Sequence, residues 1–177
     1  MKVDYKRRII KWTIRQFLLL MIIAWMFIIF GFSSEDGESS QSLSDVITYK
    51  VIDVIYPDYD SYSADRQEAI RSDVSFLVRK TGHFGEYAIL GLLIATFMLT
   101  FKKIRKRIRY VVIGEAVCII YAITDEVHQG FVDGRSPKLM DVGIDSAGAM
   151  AGIFTAALIC VIICRLKKPL SSSLSET

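Results

Sequence analysis

Histidine, cysteine and proline are scarce in this 177-residue chain, with two, three and three copies. Cys118, Cys160 and Cys164 form no CxxC pair, are odd in number and all fall inside apolar stretches. That excludes a disulfide framework and a cysteine metal knuckle, and leaves them as small packing residues. The chain has no HExxH and no evident internal repeat, and neither serine nor cysteine stands out as a nucleophile. No small-x-small cleavage pattern appears around Phe30-Gly31-Phe32-Ser33. The basic start and first apolar run are therefore read as an uncleaved signal anchor, not a signal peptide.

What the chain has in abundance is apolar sequence, at 52% of residues with a mean hydropathy of +0.37. It comes in blocks, at 17–32, 87–101, 110–124 and 142–164. Each approaches the ~20 residues that cross a ~30 Å hydrocarbon core. A soluble bundle with long buried helices is the competing reading, but basic clusters directly flank the blocks. With the amino terminus inside and four spans threaded, 15 of the 22 lysines and arginines fall on the cytoplasmic side, as the positive-inside rule expects. The run from Lys102 to Arg109 is then a topology signal and lipid contact, and no nucleic-acid partner is expected. The expectation is a single all-α domain, a polytopic plasma-membrane protein with both termini cytoplasmic. Its four transmembrane helices run about 12–32, 82–101, 108–129 and 141–164, and short amphipathic helices lie in the first external loop, 33–80. Trp12 suits an interfacial anchor.

That loop is acidic, with ten Asp/Glu against five Lys/Arg. Ser42 with Asp45 suggests a capped helix start, and Leu43, Val46, Ile47, Val51, Val54 and Ile55 recur at helical spacing until Pro57. A second helix, capped by Ser63, carries Ile70, Val74 and Leu77. Both are read as covering the bundle, with a lid over the site as the alternative. Asp133-Gly134 reads as a turn, and Pro137 limits helix before the fourth span.

Five ionisable side chains lie between Asp125 and Arg135, at the outer end of an apolar helix. A charge at a membrane-helix centre costs roughly 2.5–3.5 kcal/mol, so such groups pair or line a wet cavity. At ~1.5 Å per residue, Asp125 and Glu86 both lie ~22 Å from the inner face, and Asp145 lies near the outer edge. His83 shares a helix face with Glu86 and Tyr87; Asp125 shares one with His128 and Gln129; Asp141 shares one with Asp145. Below them, Asp145-Gly148-Gly152 and Gly114-Cys118-Ala122 make small-residue ridges for close helix approach. Glu115, near the inner face, reads as a snorkelling or paired side chain.

His83-Phe84-x-Glu86-Tyr87, Asp125-Glu126-x-His128-Gln129-x-Phe131-x-x-x-Arg135, Asp141 and Asp145-x-x-Gly148 together resemble the VanZ-like family. Phe32-Ser33-Ser34 also fits; Glu35 stands where glutamine is common. The resemblance implies a bacterial integral membrane protein that lowers susceptibility to teicoplanin-type lipoglycopeptide antibiotics, and supplies no reaction. Three mechanisms follow from the residues. In a binding or shielding protein the polar cluster is a structural network, and the envelope-facing surface holds antibiotic or a lipid-linked cell-wall precursor. In an enzyme acting on such a precursor or a membrane lipid, His128 is general acid/base, oriented by Asp125 or Glu86. Arg135, with Arg79 and Lys80, then holds an anionic headgroup. In a flippase or proton-coupled transporter the carboxylates relay protons. The acid/base candidates are thus His83, Glu86, Asp125, Glu126, His128 and Asp145; the ligand-binding candidates are Tyr87, Gln129, Arg135, Asp141, Arg79 and Lys80. His83, Glu86, Asp125, Glu126 and His128 are also suitable ligand types for a divalent metal. Hydrogen-bonded charge pairs account for them equally well, so a metal cofactor is not favoured.

Overall fold

The computed structural model describes residues 2–35, 37–101 and 107–166. Five helices make up the fold: α1 (Lys2–Ser34), α2 (Gly37–Ile55), α3 (Ala64–Leu99), α4 (Arg107–Gln129) and α5 (Leu139–Leu166). A single 3-10 turn, Tyr59–Ser61, follows Pro57, and there are no strands among the described residues. The central basic cluster 102–106 and the tail from Lys167 onward lie outside the described residues.

Three helices, α1, α3 and α5, are long and apolar enough to cross a membrane. The 23 residues of α4 rise ~34 Å, enough to cross, but every 18-residue stretch of it holds at least three charged side chains from the set Arg107, Arg109, Glu115, Asp125 and Glu126. Much of the outer surface of these helices is apolar. Phe17, Phe27, Ile120, Phe154 and Leu158 are all more than half exposed, a distribution suited to lipid and not to water.

The loop differs from the expectation in three respects. Its first helix is present, but it begins at Gly37, ahead of Ser42. The second is not separate: it runs without a break into the next span as the 36-residue α3. Residues 64–99 contain no proline, and Gly82 and Gly85 sit within the helix, so nothing stops it. Ser63 precedes α3 in an extended conformation, but its hydroxyl makes no capping hydrogen bond. At ~54 Å, α3 is far longer than the ~30 Å hydrocarbon core. Its amino-terminal part is covered by α2, where Thr48 and Ile52 are buried with Val74 and Ser75. Arg71 pairs with Asp45 at 3.2 Å, and Gln41 reaches Ser75 at 3.3 Å.

The core of the bundle is α3 against α5. A methyl group on Gly148 would meet the carbonyl of Phe84, and one on Gly152 the carbonyl of Ala88. From the other side, one on Gly91 would meet the carbonyl of Ala149. The predicted small-residue ridge of α5 is therefore the contact that brings two backbones together. Gly114, Cys118 and Ala122 on α4 are buried too, with Gly114 facing Ile153 and Ile94. Glu115 is paired inside the bundle, accepting a hydrogen bond of 2.7 Å from Ser146. Polar ties fix α1: Trp25 Nε1 donates to the Glu86 carbonyl at 2.8 Å, and the Tyr121 hydroxyl donates to that of Met26 at 2.6 Å. At the opposite end from the predicted site, Arg15 donates to Thr100 Oγ1 at 3.0 Å and to its carbonyl at 2.8 Å, and stacks over Phe101.

Candidate functional site

The helices meet around a cavity of about 720 Å³ at the end of the bundle where α1, α4 and the start of α5 come together. Each contributes for a local reason. The unbroken α3 carries Arg79, Lys80, His83 and Glu86 down one side at i, i+3/i+4 spacing. The end of α4 presents Asp125 and Gln129, and the turn beyond it presents Arg135. That turn is possible because Gly134 adopts φ 74, a conformation most side chains avoid. α5 enters with Asp141. α2 closes one flank with Gln41, Ser44 and Ile47.

Eight of the twelve sequence-predicted residues line this one space: Arg79, Lys80, His83, Glu86, Asp125, Gln129, Arg135 and Asp141. Lys80 is ion-paired with Asp141. His83 Nδ1 lies 3.4 Å from Asp145 Oδ1, which places the fully buried Asp145 carboxylate directly behind the His83 ring. Gln129 donates to Asp125 Oδ2 at 3.4 Å. Arg135 donates to the Phe32 carbonyl at 3.1 Å, tying the turn to α1.

The other predicted residues do different things. Glu126 accepts a 2.6 Å hydrogen bond from the Lys138 backbone N–H, satisfying an amide at the start of α5. Tyr87 is fully buried beneath the cavity, 6.1 Å from the Tyr121 ring. His128 does not face Asp125 or Glu86. It stacks on Phe30, with ring centroids 4.4 Å apart, and its Nε2 is 3.1 Å from Ser34 Oγ. The imidazole with a carboxylate neighbour is His83. Neighbours on one helix face share a side of that helix, but the partner helix decides which of them turn inward; at the end of α4, α1 takes His128.

Ser33, Gln41 and Lys138 also line the cavity, and sequence reasoning did not single them out as site residues. Ser33 had a signal, the conspicuous serine pair after the first span. Lys138 stood beside a proline already read as a boundary. Gln41 had none, because its place depends on how α2 folds back. Among the described residues, no three His, Cys, Asp or Glu side chains are grouped so as to hold a metal ion.

Chemically, the space combines exposed cations with buried carboxylates, and Glu35 and the exposed Asp133 add acids to the same lining. Arg79 and Lys138 are exposed, whereas Asp125 is only 4% exposed and its Oδ1 has no hydrogen-bond partner. Among known proteins, the family model described as VanZ/LLP1 matches residues 17–163. No curated protein and no solved structure matches the chain. That span takes in α3, α4, nearly all of α5, the hydrophobic part of α1 and every residue of the cavity, and so the chain belongs to the VanZ/LLP1 family.

Proposed function

We propose that this protein is a bacterial cell-envelope membrane protein that binds a membrane-anchored or cell-wall ligand in its polar cavity, and thereby lowers susceptibility to teicoplanin-type lipoglycopeptides. In this reading α4 is a fourth span, both termini are cytoplasmic and the cavity opens to the exterior. The observation that carries it is the cavity itself, where Arg79, Lys80, Arg135 and Lys138 gather over buried acids in a chain whose outer surface is apolar. Cations at such a mouth suit an anionic headgroup, and arginine suits one that accepts two parallel hydrogen bonds. The distribution of basic residues supports the orientation, and the VanZ resemblance supports the antibiotic phenotype.

A specific arrangement favours a second reading, a hydrolase or transferase acting on a lipid-linked precursor. His83 faces the cavity with Asp145 behind it and Glu86 one turn along α3. A carboxylate that orients an imidazole is the arrangement general acid/base catalysis uses. The roles first considered for His128 pass to His83 in this version.

One experiment separates the two. Cells expressing the protein, or an Arg135→Gln variant, are tested for teicoplanin susceptibility while their envelope lipids and peptidoglycan precursors are analysed by mass spectrometry. Binding predicts protection that Arg135→Gln abolishes, with unchanged envelope chemistry. The enzyme reading predicts a new or altered precursor that disappears with His83→Gln. Full protection from a folded Arg135→Gln variant removes the proposed site.

A further inference from the structure

The cavity holds charges of both signs, Glu35 and Asp133 among them, and two opposite sets within it are left without an ion-pair partner. Lys80 is satisfied by Asp141, and His83 is set against Asp145. Arg79, Arg135 and Lys138 then have no carboxylate within ion-pair distance among the described residues, and neither Glu86 nor Asp125 has a basic one. Glu86 lies seven residues beyond Arg79 on α3, ~10 Å further into the bundle. Asp125 is more than nine-tenths buried, lines the cavity and has an oxygen without a partner.

Uncompensated carboxylates in a low-dielectric site are costly, and an anion at the mouth would leave them so. A cation alone would leave the three basic side chains at the mouth without a counter-charge. Both sets are satisfied at once by a ligand that carries a positive and a negative group a few bonds apart. We propose, building on the binding reading, that the cavity recognises an ammonium–phosphate pair of the phosphoethanolamine type, with the ammonium between Glu86 and Asp125 and the phosphate against Arg79, Arg135 and Lys138. An ammonium has three donors and no acceptor, which suits two carboxylates with free lone pairs. A phosphate offers several oxygens, which suits three cations, two of them arginines. The pair comes from an aminophospholipid headgroup or from a soluble phosphoamine, and the test distinguishes these sources.

The full chain, purified in a phospholipid-free detergent, is titrated calorimetrically with O-phosphoethanolamine, with ethanolamine and with inorganic phosphate. Phosphoethanolamine is expected to bind about tenfold tighter or more than either half. Glu86→Gln, or Asp125→Asn if the first variant misfolds, removes that preference without weakening the binding of phosphate. Arg135→Gln weakens both phosphate-bearing probes. In nanodiscs, a lipid source predicts that phosphatidylethanolamine but not phosphatidylglycerol blocks the soluble probe; a soluble source predicts equal binding in both. If phosphate binds as tightly as phosphoethanolamine, or Glu86→Gln changes nothing, the ammonium subsite is overturned while anion binding stands. If no probe binds in any setting, the binding reading falls with it.

Discussion

His83 and His128 illustrate how far two chemically identical side chains diverge. His83 looks into the cavity against Asp145, whereas His128 lies flat on Phe30 beside Ser34. Function is therefore expected to be unequally sensitive to them. His83→Gln should return teicoplanin susceptibility to that of cells without the protein, and His128→Gln should retain most of the protection, both read by minimum inhibitory concentration at matched expression. The reverse ranking would place the site at the α1–α4 contact instead. Glu126 is a structural acid by its contacts. Glu126→Ala leaves the Lys138 amide without its acceptor and should cost about 1 kcal/mol, as loss of a helix-start acceptor commonly does, read as a lower Tm in detergent. All twelve candidates were legible as polar groups in or beside apolar helices; which eight share the cavity was not, because that depends on the neighbouring helix at each position.

Among the elements, the α3–α5 pair has least tolerance. Gly148 and Gly152 face α3 carbonyls so closely that an added methyl group requires the helices to separate. Gly148→Ala and Gly152→Ala should each destabilise by about 1–3 kcal/mol, the usual cost of overpacking, measured by unfolding in mixed micelles. Gly31→Ala and Gly143→Ala have nothing within 4 Å of the new methyl and serve as neutral controls. If all four behave alike, the close approach is not what holds α3 to α5. This ridge was readable from spacing alone, since Gly148 and Gly152 recur at i+4. The fusion of the second loop helix with the next span was not. The loop was expected to end at 80 and the span to begin at 82, but Lys80 and His83 both find partners on α5, and those contacts are made with the helix continuous.

For the whole molecule, the four-span arrangement makes a definite prediction. In a background without Cys118, Cys160 and Cys164, a cysteine at Ser136 should react with a membrane-impermeant maleimide in intact cells. One at Ser172 should react only after permeabilisation. The opposite pattern would turn the cavity to the cytoplasm and remove it from reach of an external antibiotic. The amino-terminal part of α3, paired with α2, stands beyond the hydrocarbon thickness in this arrangement, next to the cavity mouth that Gln41 and Ile47 help to form.

Sequence alone determined the helical class, the long apolar helices and the concentration of ionisable groups at one end of them. Each of these follows from local chemistry: hydrophobic length, helical period and the cost of charge in lipid act on a segment whatever surrounds it. Tertiary structure alone decided that Asp145 stands behind His83, that Glu126 serves the start of α5, that His128 leaves the cluster, and that α2 flanks the cavity with Gln41. Those are relations between segments distant in the chain. They rest on which backbones approach at the glycine ridge and which side chains are then left facing the same cavity.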